Sequence, residues 1–330
     1  MTVPVEPTDL LKGLLPDVRP DAGTRLPSAA VVKLPADTVA AARVPAGVHL
    51  AFTGSASKVR LTLRRGDLAR VPSPAVAEEL TVFVDGELVA AVGVPARSAP
   101  VDVALPSRGV GAVVRIHLPE TVGLVVESIE TVGGDVVAVP ARPRWVVQGD
   151  SISQGWSVTA AGLAWPSRVA RELDLDLVNL GFAGSARGEL VAATVVSESR
   201  ADVVTLAWGT NCWSSIPTDA AEIAQRMRLF LTTVRQGLPE VPVLVVSPIV
   251  RPAAESGPNR FGSSLADLRG AIEGAVEEFA AVHGDAALTL VSGMDLVPED
   301  ALVDGVHPGD EGHALMASAL APGVARATTL

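Results

Sequence analysis

The stretch Gln148-Gly149-Asp150-Ser151-Ile152-Ser153 sets a serine directly after an apolar run, in a tight loop that contains a glycine. A serine so placed stands at the edge of a sheet where a substrate can dock, which suits a nucleophile, although a serine there can equally cap the helix that follows. The first use requires a base, because a free hydroxyl is a weak nucleophile. Asp304-Gly305-Val306-His307-Pro308, near the other end of the chain, supplies one. A carboxylate three residues ahead of a histidine can fold back within one turn and accept one ring N–H, leaving the other ring nitrogen free to take the serine proton. Taken alone, a loop histidine is as readily a surface residue; this one draws its interest from its place after the last apolar run. Acyl transfer through such a trio also needs N–H donors aimed at the developing oxyanion. Gly184, in Asn179-Leu180-Gly181-Phe182-Ala183-Gly184, and Asn211, in Trp208-Gly209-Thr210-Asn211, can join the backbone amide of Ser151 in that role. Both residue types are also common turn formers.

These groups meet only if the chain brings distant loops to one edge. From about Arg144 onward the pattern is strand, loop, helix, repeated. Trp145–Gln148, Leu175–Leu180, Val203–Trp208, Val241–Val246 and Leu288–Val291 read as short buried strands. Between and after them, Leu163–Leu173, Gly188–Ser199, Ala220–Gly237, Ser263–His283 and Glu311–Ala319 carry helical spacing. Such alternation predicts a parallel sheet covered on both faces, with active residues on loops at the carboxyl ends of its strands. From about Val31 to Val139 the sequence is different: seven Val-rich runs, several alternating apolar with polar residues, and an Asp85-Gly86 hairpin signal. That half predicts an all-β sandwich without helices, preceded by about 25 irregular residues holding Pro4, Pro7, Pro16 and Pro20. The division falls near Pro140: residues 1–140 for the sandwich, 141–330 for the α/β domain.

Bulk properties narrow the partners. The 330 residues are 48% apolar and 19% charged, a globular composition, and no run reaches the roughly 18 apolar residues of a membrane span. The net charge of −11, with arginines interspersed among acids, argues against nucleic acid, which needs clustered cations for counterion release. A small-molecule ester substrate is expected instead, with no membrane partner; the oligomeric state is open. The opening segment carries Glu6, Asp9, Asp17 and Asp21 rather than a basic start and an apolar run, and Cys212 is the single cysteine, so a cytoplasmic protein without disulfides is expected. No metal-binding pattern of histidines and cysteines is present, and neither metal nor organic cofactor is expected.

Several residues flank the four loops. Trp156, Trp208 and Trp213 lie beside these loops, and Trp156 and Trp213 can wall an acyl or sugar pocket or simply pack beneath the loops. Arg187 with Glu189, and Arg251 with Asn259, can bind a substrate hydroxyl or carboxylate or hold loops together. Cys212 would have to displace a better-supported serine as nucleophile. His313 follows on the last helix.

With these motifs in hand, the segment from about Arg144 to Pro322 resembles the SGNH hydrolase superfamily, the GDSL esterases. Gly149-Asp150-Ser151-Ile152 matches the nucleophile block, Gly184 the oxyanion glycine, Gly209-Thr210-Asn211 the G-x-N block and Asp304-x-x-His307 the terminal D-x-x-H, in the family's order. The resemblance implies a flavodoxin-like three-layer α/β/α domain with a five-stranded parallel sheet. It assigns Ser151 as nucleophile, His307 as base, Asp304 as its orienter, and the amides of Ser151 and Gly184 with Asn211 as the oxyanion hole. The absence of a G-x-S-x-G run excludes the nucleophile-elbow α/β-hydrolases. The first half is similar to the jelly-roll-like sandwich attached to some GDSL proteins, among them carbohydrate esterases and acyltransferases. Serine ester hydrolysis is the expected activity; acyl transfer to a small-molecule hydroxyl uses the same residues, and a non-catalytic carbohydrate-binding protein is the third reading.

Overall fold

The computed structural model describes residues 2–66 and 78–328. Two antiparallel sheets form the first half. One runs β1 (Thr2–Val5), β9 (Leu124–Val132), β4 (Lys58–Arg65), β7 (Ala99–Ala104). The other runs β10 (Val136–Ala138), β3 (His49–Gly54), β8 (Val114–His117), β5 (Glu79–Val84), β6 (Glu87–Gly93), with β2 (Leu11–Lys12) beside β3. Alternation does the sorting: in β4, Val59, Leu61 and Leu63 are buried while Arg60 and Thr62 are not, and they share a core with Leu50, Phe52, Leu80, Val82 and Ile116 of the facing sheet. The β5–β6 hairpin turns at Asp85 and Gly86, both with positive φ (47° and 92°), as a two-residue primed turn requires.

Two expectations for this half are corrected. The proline-rich opening is not irregular throughout, since β1 pairs with β9 from Thr2↔Val132 to Val5↔Ile129. Its proline is tolerated because β1 is an edge strand, where a missing N–H costs no ladder bond. Nor is the half without helices: α1 (Pro7–Leu10) and α2 (Ser28–Val31) are single turns, and α3 (Ala36–Ala42) is an alanine-rich helix of high intrinsic propensity. Leu26, Ala30, Leu34, Ala41 and Ala42 pack with the α/β core, not inside the sandwich.

The second half is a five-stranded parallel sheet ordered β12 (Asp176–Gly181), β11 (Arg144–Gly149), β13 (Val203–Ala207), β14 (Val243–Val246), β15 (Leu288–Val291). Successive strand residues point to opposite faces. Val146, Val178, Val204 and Val245 meet α6 (Leu190–Ser197), α7 (Ala220–Gly237) and α8 (Leu265–His283) on one side; Trp145, Val147, Val203 and Leu244 meet α5 (Trp165–Glu172) and α9 (Asp310–Thr328) on the other. This is the three-layer α/β/α arrangement, preceded by the β-sandwich. The last helix runs well past Ala319, through Pro322, because Leu320, Ala321 and Val324 continue its buried stripe and offset the roughly 3 kcal/mol cost of an internal proline. Among the described residues, no helix is long and apolar enough to cross a membrane.

Candidate active site

The register of the parallel sheet decides which loops are neighbours. Gly149, the last residue of β11, lies opposite Gly181 of β12 and Ala207 of β13, so the loops that follow these three strands start side by side. After β11 the chain turns at once into α4 (Ser151–Gln154), a single helical turn. The capping role falls to Asp150, whose carboxylate accepts the Ile152 N–H at 3.0 Å. Ser151 is thereby left free of capping duty, and its Oγ lies 2.8 Å from His307 Nε2. On the other side of the ring, Nδ1 lies 2.8 Å from Asp304 Oδ2. A carboxylate only accepts, so Nδ1 carries the proton and, in the neutral ring, Nε2 is the acceptor of the Ser151 hydroxyl. Asp304 Oδ1 also accepts the backbone N–H groups of His307 at 2.8 Å and Val306 at 3.0 Å, which closes the D-x-x-H segment into one turn. Burial alone would raise the Asp304 carboxyl, but the His307 ring and backbone N–H groups outweigh it and hold it below the ordinary value.

Gly184 sits in the loop after β12 with φ of +73°, a left-handed conformation that favours glycine. A side chain there would meet nothing within 4 Å, so its backbone borders open space. Asn211 lies in a short 3₁₀ turn after β13, buried, with its Nδ2 no nearer than 3.4 Å to the Ala186 carbonyl. Residues not singled out by their spacing hold these loops. Asp150 also accepts the Thr210 N–H and so ties the serine loop to the asparagine loop; burial, only partly opposed by these N–H donors, pushes its carboxyl up to about 7. Gln154 Oε1 accepts the Ala183 N–H at 3.0 Å while its Nε2 donates to the Glu120 carbonyl at 3.2 Å, spanning from the glycine loop to the sandwich. Asn179 Nδ2 donates to the Ser153 carbonyl at 2.7 Å. Buried Arg25 donates to the carbonyls of Val44 (2.5 Å), Ala41 (2.9 Å), Gly181 (2.8 Å) and Asn179. A glutamine three residues after the serine was a readable signal; nothing in the sequence marked Arg25.

The flanking residues divide. Half-buried Trp156 tilts against the His307 ring, centroids 5.9 Å apart. Half-buried Trp213 donates its Nε1–H to the Gly257 carbonyl at 2.9 Å and carries the Arg251 guanidinium 4.9 Å above its ring centre. Arg187 is taken up by loop architecture: it pairs with Asp37 of α3 and with Glu189 at 3.2 Å and donates to the Ser185 carbonyl. Glu189 in turn accepts the Thr38 hydroxyl at 2.9 Å, and Asn259 donates to the Thr218 carbonyl at 2.8 Å. Trp208 and Cys212 are buried, and burial pushes the Cys212 thiol up to about 12, which leaves it without a thiolate near neutral pH. His313 is a core residue: its Nδ1 accepts the Trp165 N–H at 3.2 Å, and burial lowers its ring to about 4.

Residues 147–315 match the model of the GDSL-like lipase/acylhydrolase family. Among solved structures, the chain is similar over its whole length to a GDSL-like protein from Bacteroides ovatus (22% identity, TM-score 0.82, 98% of that chain covered). It is similar to the same extent to the salicylyl-acyltransferase SsfX3 from a tetracycline biosynthetic pathway (21% identity, TM-score 0.83, 100% of this chain and 97% of that one). A family two carbohydrate esterase from Cellvibrio japonicus aligns at 14% identity and TM-score 0.68, again over 100% of this chain and 98% of that one. At such identities the likeness concerns the fold, including the coupling of a β-sandwich to the α/β domain. None of the curated proteins matches the chain.

Proposed function

Because the chain belongs to the GDSL-like lipase/acylhydrolase family, we propose that it cleaves carboxylic esters of small hydroxylated molecules through an acyl-enzyme on Ser151. One observation carries the proposal: a continuous relay in which Ser151 Oγ and His307 Nε2, then His307 Nδ1 and Asp304 Oδ2, each stand 2.8 Å apart. In this reading His307 takes the Ser151 proton as Oγ attacks the ester carbonyl, and Asp304 keeps the ring in the tautomer that can accept it. The negative oxygen of the tetrahedral intermediate is received by the backbone amides of Ser151 and Gly184 and by the Asn211 side chain. His307 then returns its proton to the leaving alkoxide, and water attacks the acyl-enzyme by the same route in reverse. A non-catalytic binding protein would have no use for a hydrogen-bonded Ser-His-Asp line.

Fluorophosphonate labelling followed by peptide mapping tests the proposal. The expected result is a single modified residue, Ser151, whose labelling is abolished in His307→Ala. Labelling elsewhere, or undiminished labelling of His307→Ala, would overturn it. Transfer to a second hydroxyl in place of water is the alternative use of the same acyl-enzyme, and the full-length likeness to an acyltransferase fold keeps it in view. Acceleration of acyl-enzyme turnover by an added alcohol, with the new ester as product, would select it.

A further inference from the structure

Arg251 lies in the loop that follows β14, at the same carboxyl edge of the sheet as Ser151. Its guanidinium lies over Trp213, two residues beyond Asn211, and is steadied by a 3.0 Å bond from Nη1 to the exposed Ser214 hydroxyl. The ring contact, 4.9 Å from guanidinium carbon to ring centre, and the bond to Ser214 hold the group at two points.

What sets Arg251 apart is the state of its charge. Arg187, on the neighbouring loop, is met by Asp37 and Glu189. Glu255, whose Oε1 accepts the Arg251 backbone N–H at 3.0 Å, has both oxygens engaged by Arg269, at 2.7 Å and 2.9 Å. Asp304 is near enough for its charge to be felt by Arg251, yet its oxygens are committed to His307 and Val306. Among the described residues no carboxylate stands within ion-pair distance of the Arg251 guanidinium, and its Nε–H is buried without an acceptor. Burial of the group lowers its pKa, with the Asp304 charge working the other way. A cation already stripped of much of its water, and without a carboxylate partner of its own, has borne much of the cost of binding an anion before that anion arrives.

We propose that Arg251 forms an anion subsite of the catalytic cleft, which receives a carboxylate carried by the ester substrate. The proposal rests on the ester-cleaving reading of Ser151 and names the substrate class for it: a carboxylate-bearing ester rather than a neutral one. One guanidinium matches one carboxylate in charge and in its planar, two-pronged shape. The net charge of −11 does not oppose this, because repulsion from the remaining acids is screened beyond about 8 Å at physiological ionic strength, whereas contact at the subsite is not.

The test separates recognition from turnover by using Ser151→Ala protein, which binds without reacting. Two matched pairs of probes differ only in charge: 4-acetoxybenzoate against 4-acetoxybenzamide, with the charge on the alcohol side, and phenyl hydrogen glutarate against its monoamide, with the charge on the acyl side. By calorimetry, the carboxylate member of at least one pair is expected to bind about 10- to 100-fold more tightly, the range of a charge-assisted hydrogen bond. In Ser151→Ala/Arg251→Gln that ratio should fall to near one, and in Ser151→Ala/Arg251→Lys it should keep part of its value. Equal affinities within both pairs, no binding of any probe, or a ratio indifferent to Arg251→Gln would overturn the subsite. Turnover of neutral phenyl acetate by the unaltered protein reports on the ester-cleaving reading alone, so the two ideas can fail separately.

Discussion

At the scale of single residues, the site rests on proton positions. Asp304→Asn keeps a carbonyl oxygen for the backbone N–H groups of Val306 and His307, and the residue is 47% exposed at its side chain, so the loop should survive with stability changed by no more than about 0.5 kcal/mol. Its amide would face His307 Nδ1 with a donor, which drives the ring proton to Nε2 and removes the acceptor for Ser151. We expect kcat for a simple aryl ester to fall by about 10,000-fold, the scale seen when a triad carboxylate becomes an amide, with KM little changed. Asn211→Ala is a milder lesion, expected to lower kcat by about 100- to 1000-fold if its side chain is the proposed oxyanion donor. Steady-state kinetics on phenyl acetate distinguish both from full activity, and an Asn211→Ala protein with undiminished kcat would remove that side chain from the oxyanion hole. The meeting of Ser151, His307 and Asp304 was legible in the sequence because a hydroxyl, an imidazole and a carboxylate at the ends of apolar runs are few. Arg25 and Glu120 were not legible, since a buried arginine and a buried glutamate look like surface residues until the backbone carbonyls and amides that meet them are known.

At the scale of elements, the weakest part is the most important one. The helix α4 has four residues, too few to be stable by itself, and its geometry is imposed from outside by the Asp150 cap and by Gln154. Gln154→Ala would leave the Ala183 N–H and the Glu120 carbonyl buried without partners, a loss of about 2–4 kcal/mol in urea denaturation. Ala183 precedes Gly184, so the same change should lower kcat more than it raises KM; equal stability of the variant and the parent would show that the bridge carries no load. The strands and helices of the α/β half were readable because five short buried runs alternate with helical spacing, and each period reflects a face that must meet a core. Where the sequence misled, context had reversed a local preference. Pro4 suits β1 only because that strand is an edge, α3 hides inside a β-rich half because its apolar face serves the other core, and α9 crosses Pro322 because burial on either side outweighs the break.

At the scale of the whole molecule, the two halves meet through polar groups that left no mark in hydrophobic periodicity. Thr81 of β5 donates to the Ala161 carbonyl at 2.7 Å, Arg171 of α5 lies 4.2 Å over the Phe83 ring, and the Arg25 guanidinium joins Ala41 and Val44 to the end of β12. Glu120 is the one whose protonation can be read in solution. It lies in the loop between β8 and β9, accepts the Gly47 N–H at 3.3 Å, and abuts Gly155 at the end of α4. Burial pushes its carboxyl up from 4.5 to about 7, against the pull of the Gly47 and Gly162 N–H groups and the charges of Arg171 and Arg25. Between those two values the unfolded chain has lost this proton while the folded protein still holds it. The contribution of the neutral acid is therefore complete below about pH 4.5 and declines as pH rises, at about 1.4 kcal/mol per pH unit, until it is spent above pH 7. Glu120→Gln replaces the acid with a neutral group of the same shape and has no proton to lose. Asp150 titrates over a similar interval in both proteins and cancels from their difference. Urea denaturation of the two at pH 5 and pH 8 should show the variant gaining on the parent by about 2–3 kcal/mol at the higher pH. A difference that stays constant across that interval would mean that the Glu120 carboxyl keeps its water in the folded protein and that the two halves are joined there by a solvated seam, not a dry one.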